Sequence, residues 1–399
     1  MNHENMKMTE VGWIPKDWEV STIGDECDVK TGPFGSALHA DDYVIKGTPI
    51  ITVEHIGNVH IDKSRPIPQV SDEDKQRLKA YILKEGDIVF SRVGSIDRNS
   101  LVFKEEDGWL FSGRLLRMRK LSKAKFDPLY LCYHLNTYDS KNRILAEAVG
   151  QTMPSLNTKI LNGISIVLPQ SPSEQRRIAQ VLSDTDSLIA SLSRTIEKKR
   201  LVKQGAMQQL LTGKTRLKGF SGEWAEKKLG DIADIRTGKR NGDENVIGGL
   251  YPFFVRSQEV LRINSYSYEG EAIIVPGEGG IGKIFHYVHG KFDYHQRVYK
   301  VSDFPSDICT KYVYYYMTQF FGDYALNQTA KATVDSLRLP TFQEFEISIP
   351  DSWNEQFAIA NILTTMDNEI SSLEAELQKY KALKQGMMQK LLTGQIRLK

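Results

Sequence analysis

Residues 169–218 and 350–399 of this chain align without a gap at an offset of 181, with 24 of 50 positions identical. Self-similarity on that scale constrains the architecture before composition does, because the same element must be built twice. The shared tail reads KQGxMQxLLTGxxRLK. The offset also holds upstream: Thr152, Ser155 and Leu156 fall on Thr333, Ser336 and Leu337. A second match lies at the front of each half, at an offset of 206. There Trp18, Ile23, Gly24, Asp25, Lys30, Thr31 and Gly32 fall on Trp224, Leu229, Gly230, Asp231, Arg236, Thr237 and Gly238. The middle of the first half is therefore 25 residues longer. The frames agree while the middles differ in length and sequence. The segments are 1–168, 169–218, 219–349 and 350–399, read as globular unit, helix, globular unit, helix.

Each repeat opens on a capping-box pattern, Ser171-x-x-Glu174 and Ser352-x-x-Glu355, with Pro172 suited to the first helical position. Each closes at Gly213 or Gly394, where a C-terminal cap is expected. The span between predicts roughly 60 Å of helix. Apolar residues step by three and four: Leu182, Thr185, Ile189, Leu192 and Ile196, then Leu363, Met366, Ile370, Leu373, Leu377 and Tyr380. That stripe is a coiled-coil seam. Lys199, Lys203 and Lys384 continue the register but carry charge, so the seam is expected to stop there. The alternative is two separate amphipathic helices, each lying on its own domain. Matching stripes favour packing on each other, and related halves then require an antiparallel pair, pseudo-two-fold symmetric. The chain end at Lys399 is expected near Trp13.

Composition excludes several classes. No apolar run approaches the roughly 18 residues of a membrane span, and the N-terminus lacks a signal-peptide stretch. Cys27, Cys132 and Cys309 are far apart and form neither a disulfide framework nor a metal pair. A cytoplasmic location is the simple expectation. Net charge is only +2. Residues 169–218 carry +6 and residues 350–399 carry 0, leaving −4 for the rest. A nucleic-acid surface must then be a local patch.

The globular segments read as mixed α/β. Residues 87–90, 101–103, 272–275 and 284–285 look like strands, and 128–138 and 310–320 like short helices. Their aromatic stripe (Tyr130, Tyr133; Tyr312, Tyr315, Tyr316) is expected in the core. Gly277-x-Gly279-x-x-Gly282 matches a dinucleotide fingerprint, but the residues after it read as a strand where a helix is needed. Asp127-Pro128-Leu129-Tyr130 approaches the catalytic loop of amino-methyltransferases without its second proline, and fits a helix start better. The eight histidines show no HExxH and no repeated ligand spacing. Neither a metal site nor a bound cofactor is expected.

Loop cations are the more informative residues. Arg92, Ser95, Arg98 and Asn99 form one group. Arg114, Arg117 and Arg119 form another, at a spacing that puts them on one strand face. In the second half, Arg236, Thr237, Lys239, Arg240 and Asn241 join His295, Gln296 and Arg297. Lys30, Thr31, Lys283, Thr152, Ser155, Lys331, Thr333 and Ser336 complete the candidate set. Arg, Asn and Gln suit guanine and adenine edges, and Lys and Thr suit phosphates.

The two helical repeats with EQRRIAQVL (Glu174 to Leu182) and EQFAIANIL (Glu355 to Leu363), each closing in LLTG and RLK, and the fronts Trp18-x4-Ile23-Gly24-Asp25 and Trp224-x4-Leu229-Gly230-Asp231, resemble the specificity subunits of Type I restriction–modification systems. The resemblance spans nearly the whole chain. It implies an α+β protein in which two α/β target-recognition domains are joined by two long antiparallel helices forming a coiled coil. It implies that each domain reads half of a bipartite site in double-stranded DNA. It also implies docking of two adenine-N6 methyltransferase subunits, which bind S-adenosylmethionine, and through them restriction subunits. The chain itself is then non-catalytic. A self-contained methyltransferase or nuclease, an adaptor that reads no sequence, and a subunit serving methylation alone are the rival readings.

Overall fold

The computed structural model describes residues 5–33, 38, 40–148, 154–329 and 336–398. The chain divides into two compact units: 1–191 with 377–399, and 192–376.

In the first unit, strand Trp18–Thr22 pairs antiparallel with Ser165–Pro169. A four-stranded antiparallel sheet runs in the order Cys27–Thr31, Leu115–Lys120, Ile88–Ser91, Asn99–Leu101. Period two decides its faces: Leu116 and Met118 enter the main core, while Leu115 enters a second core with Val89 and Phe111. A small sheet of Gln69–Val70, Thr48–Ile51 and Leu110–Phe111 lies beyond. The helix expected over 128–138 is two helices, Pro128–Leu135 and Tyr138–Glu147. Thr137 separates them, because its hydroxyl caps the second by accepting from Ser140 N. Asp127 caps the first with Pro128 in its first turn, as the sequence indicates.

The second unit repeats the frame. Trp224–Lys228 pairs with Glu346–Pro350. Asp234–Thr237, Val298–Ser302, Tyr268–Pro276 and His286–Tyr294 reproduce the order of the first four-stranded sheet. Tyr251–Phe254 and Val260–Ile263 extend it to six strands. The helix expected to end near 320 runs over Thr310–Thr329. Tyr130, Tyr133, Tyr312 and Tyr315 are buried, and Tyr316 packs against the same core.

The long helices, Pro172–Leu210 and Trp353–Leu391, have 39 residues each. Each unit holds the front of one beside the back of the other, running in opposite directions. Asp186 meets Lys384 in the first unit, and Lys203 meets Asp367 in the second. Leu182, Ile196, Leu363, Ile370 and Leu377 are buried; Ile189, Leu192, Met366 and Leu373 are half-buried. The expectation that lysines end the seam is corrected. Lys199 is a surface residue paired with Glu369 at 2.7 Å, but the stripe continues through Lys203 to Met207 and Leu210. Lys203 and Lys384 are accommodated because each meets an aspartate and an aromatic face.

The helices end at Leu210 and Leu391. Gly213 and Gly394 follow with φ of 66° and 70°, and Thr215 N and Ile396 N donate back to Gln209 O and Lys390 O. The capping boxes are corrected. The Ser171 hydroxyl accepts from Glu174 N at 3.5 Å, but the Glu174 and Glu355 carboxylates turn away to arginines described below. No helix among the described residues is long and apolar enough to cross a membrane.

One buried base makes the first unit acid-sensitive. His134 accepts from Val167 N through Nε2 at 3.3 Å and stacks on Tyr130. Burial, then Arg143, holds its imidazole down to about 3. The unfolded chain takes up this proton near pH 6.5 and the folded one does not. Stability is therefore full above that value and falls as pH drops from 6.5 toward 3. The urea midpoint is expected to fall by the equivalent of about 1 kcal/mol between pH 6.5 and 5.5. His134→Gln, which keeps an acceptor for Val167, is expected to lose most of that slope.

Candidate nucleic-acid interface

The repeated sequence motifs lock each globular frame to the helices. In the first unit, Glu174 is buried and accepts from Arg397 Nε at 2.5 Å and Nη2 at 2.7 Å. Arg397 also pairs with Asp17 at 2.7 Å, and its guanidinium lies 5.5 Å from the Trp18 ring centre. In the second unit Arg216 does the same, pairing with buried Glu355 at 2.6 and 2.7 Å over Trp224. The Glu of each EQ motif thus receives the Arg of the RLK tail from the other helix. The neighbouring glutamines fasten the domain: Gln175 joins Asp127 N and Pro169 O, and Gln356 joins Cys309 N and Pro350 O. Leu391 and Leu392, and likewise Leu210 and Leu211, fill the cores. Arg397 on Asp17 brings the C-terminal tail to the N-terminal segment; Lys399, expected near Trp13, lies outside the described residues.

On this frame a repeated Thr-Gly opens the variable connections. A Cβ on Gly32 would stand 2.1 Å from Ser112 O, and one on Gly238 would stand 1.9 Å from Tyr294 O. No side chain fits, so the connection leaves the sheet at one fixed point in each unit.

In the first unit, Arg92 N donates to Arg114 O and Leu156 N donates to Arg92 O, so the loops around 92–98, 112–114 and 154–156 meet. Ser95 and Arg114 are exposed, and Arg114 forms no ion pair among the described residues. Arg92 reaches Leu156 O through Nε, and Ser155 bridges Val93. Arg98 donates to Ile56 O at 3.2 Å. Lys30 and Thr31 are half-buried, with the lysine over Tyr81.

In the second unit, Gln296 N donates to Arg240 O, and its side chain donates to Asn241 Oδ1 at 2.7 Å. Arg297 and Arg256 share Glu278. The Gly-rich turn at 277–282 therefore lies beside the 295–297 turn. Lys239 and Lys283 are exposed without a side-chain partner among the described residues. Thr237 is exposed, Arg236 pairs with Asp234 at 2.8 Å, and Ser336 is half-buried. Thr152, Lys331 and Thr333 lie outside the described residues.

Several candidates instead hold the fold together. Arg117 is buried and paired with Asp28, and Arg119 donates twice to Asp87. Arg114 precedes the strand and does not join their face. Asn99 is fully buried and accepts from Cys132 and Asn136. Arg240 is held by Glu244, Asp293 and Ser265. His295 is buried, and its Nδ1 accepts from Arg297 N. Burial first, then Arg256 and Arg297, keeps its proton affinity below that of a free imidazole. Alternation places side chains on a face, but distant carboxylates decide which face needs charge. Arg256 and Glu278 escaped sequence reasoning; the only signal was an arginine just after a phenylalanine-rich strand.

The decoy motifs have structural explanations. The Gly-rich turn feeds strand His286–Tyr294, and a Cβ on Gly282 would stand 2.4 Å from Gly322 Cα. A helix backbone passes against Gly282, and Gly279, Gly280 and Gly282 all have positive φ. All three thiols are buried, and burial pushes Cys27 up to about 12. No cluster of metal-ligating side chains occurs among the described residues.

Comparison with known proteins places the arrangement. The model of the Type I restriction modification DNA specificity domain matches residues 15–199 and again 221–385. The type I restriction enzyme MjaVIII specificity subunit of Methanocaldococcus jannaschii is 26% identical, over 99% of this chain and 97% of its own. The crystal structure of a Type-I restriction-modification S subunit from M. genitalium superposes with a TM-score of 0.70 at 16% identity, covering 98% and 97% of the two chains. A chain from a structural study of type I R-M complex assembly gives 0.55 at 15%, covering 96% and 99%.

Proposed function

Because the chain belongs to the Type I restriction modification DNA specificity domain family, as a specificity subunit with two recognition domains and no catalytic role of its own, we propose that each domain reads one half of an asymmetric bipartite site in double-stranded DNA. The helical pair sets the unread gap. It also docks two adenine-N6 methyltransferase subunits, and restriction subunits join through them in the cytoplasm.

One observation carries this reading: two copies of the same sheet order and the same Arg–Glu clamp present connections that differ in length and sequence. A common frame with unlike loops suits two readers of unlike half-sites. Reading both halves through one chain raises the effective concentration of the second contact once the first is made. The partner methyltransferase supplies S-adenosylmethionine and flips the adenine out of the duplex. The exposed cations Arg114, Lys239 and Lys283 supply local phosphate contacts. With net charge only +2 and few phosphates neutralised, DNA binding by the isolated chain is weak and its salt dependence shallow.

The test is genome-wide mapping of N6-methyladenine in cells making this chain with its neighbouring methyltransferase, against cells lacking the chain. The expected result is a chain-dependent motif of two short, unlike blocks around a fixed gap. Absence of such a motif, with both proteins folded and associated, favours the adaptor reading.

A further inference from the structure

The connection that follows Thr-Gly in each unit ends in a tip of the same construction. In the first unit it reads Val44-Ile45-Lys46-Gly47, and in the second Val246-Ile247-Gly248-Gly249. Ile45 and Ile247 are both 100% exposed, and Val44 and Val246 are 38% and 39% exposed. Val44 N donates to Gln69 O at 2.8 Å; Val246 N donates to Arg262 O at 2.7 Å. Gln69 and Arg262 sit on corresponding strands, each antiparallel to the strand that follows the tip. The closing glycine is obligatory in both. A Cβ on Gly47 would lie 2.0 Å from Val70 O, and one on Gly249 would lie 2.7 Å from Ile263 N.

A single exposed isoleucine on a surface is ordinary. The same one, held by the same hydrogen bond and the same close glycine in two domains whose loops otherwise diverge, calls for a shared use. The connection tells which. In the second unit it carries exposed Lys239 and Asn241 upstream of the tip, with Asn241 bonded to Gln296. In the first it leaves Lys30 and Thr31 and carries exposed Lys46 beside Ile45. Charge on the tip segments is mixed, with Asp41, Asp42, Asp243 and Glu244 among the lysines. The link to DNA is that each connection starts at a candidate-interface loop, Gly32 against Ser112 and Gly238 against Tyr294, and carries an apolar tip suited to apolar base edges. Aliphatic side chains meet DNA either at thymine methyl groups or as wedges between base steps.

We propose that Ile45 and Ile247 are DNA-contacting, specificity-determining residues, one for each half-site, packing against bases through their aliphatic side chains. This rests on the DNA-reading assignment above. Removing such a contact leaves the fold untouched, because neither side chain touches a core, and weakens binding about tenfold or more.

The experiment uses the chain assembled with its methyltransferase partner and a duplex bearing the mapped motif. Ile45→Ser and Ile247→Ser are each expected to weaken binding about tenfold or more, with base preference altered in a different half-site for each. Thermal unfolding and methyltransferase association stay as in the wild type. Deoxyuridine in place of thymidine in the motif, with the wild-type chain, reproduces the loss for a methyl contact and leaves binding unchanged for a wedge. Wild-type binding and motif in both variants would overturn the proposal. So would loss of methyltransferase association with DNA preference intact, which assigns the tips to a protein partner. A wild-type complex that does not distinguish cognate from scrambled duplex sinks the DNA-reading assignment itself, and is thereby told apart from failure of the tips alone.

Discussion

Arg397→Met is expected to destabilise the first unit by about 3 kcal/mol, a large share of the stability of an ordinary domain. The reason lies in what remains. Glu174 is 1% exposed and receives both of its short hydrogen bonds from this guanidinium. Without it the carboxylate is a buried, unpaired charge, or must take up a proton. Arg397 itself keeps some solvent contact, which places the loss at the lower end of the range for broken buried pairs. The double variant Arg397→Met/Glu174→Leu removes both charges and is expected to recover most of the loss, because apolar replacements of a buried pair are often neutral. Arg216→Met is expected to act likewise on the second unit through Glu355. Urea unfolding of the three variants checks the pattern. Equal stability of Arg397→Met and wild type would show that the clamp contributes nothing.

The clamp also explains why the sequence revealed so much of the frame. A repeated RLK and a repeated EQ are recognisable at a fixed offset, and the offset survives because each member must meet its opposite number in the other repeat. The helices, their Gly ends and the aromatic core were legible for the same reason: period and spacing are local properties of a chain. What was not legible depends on partners remote in sequence. Nothing in Arg117 or Arg119 announces Asp28 or Asp87, so two structural arginines read as groove contacts. Glu174 looked like half of a capping box until Arg397 claimed it. The isoleucine tips escaped because they fall between the offsets of 206 and 181, where the connections differ in length and only Val-Ile-x-Gly is shared.

The charges inside the seam give the second large expectation. Lys384 pairs with Asp186 at 2.5 Å and lies over the Tyr133 ring, and Tyr133 donates to the same carboxylate at 2.7 Å. The second unit repeats the arrangement with Lys203, Asp367 and Tyr315. Leucines at these positions would continue the apolar stripe, so the charges do not serve tighter packing. A polar group at a seam position fixes register, because a slipped helix leaves it unpaired. Lys384→Met is therefore expected to cost about 2 kcal/mol by leaving Asp186 with Tyr133 alone, since the pair retains some solvent contact. The double variant Lys384→Met/Asp186→Leu is expected to return close to wild-type stability while losing uniqueness. Cysteine pairs placed for cross-linking at native and one-heptad-shifted positions measure this: the wild type forms only the native link, and the double variant forms both. A double variant that links only in the native register would leave register to the apolar stripe and the clamps, and reduce the triads to local ion pairs.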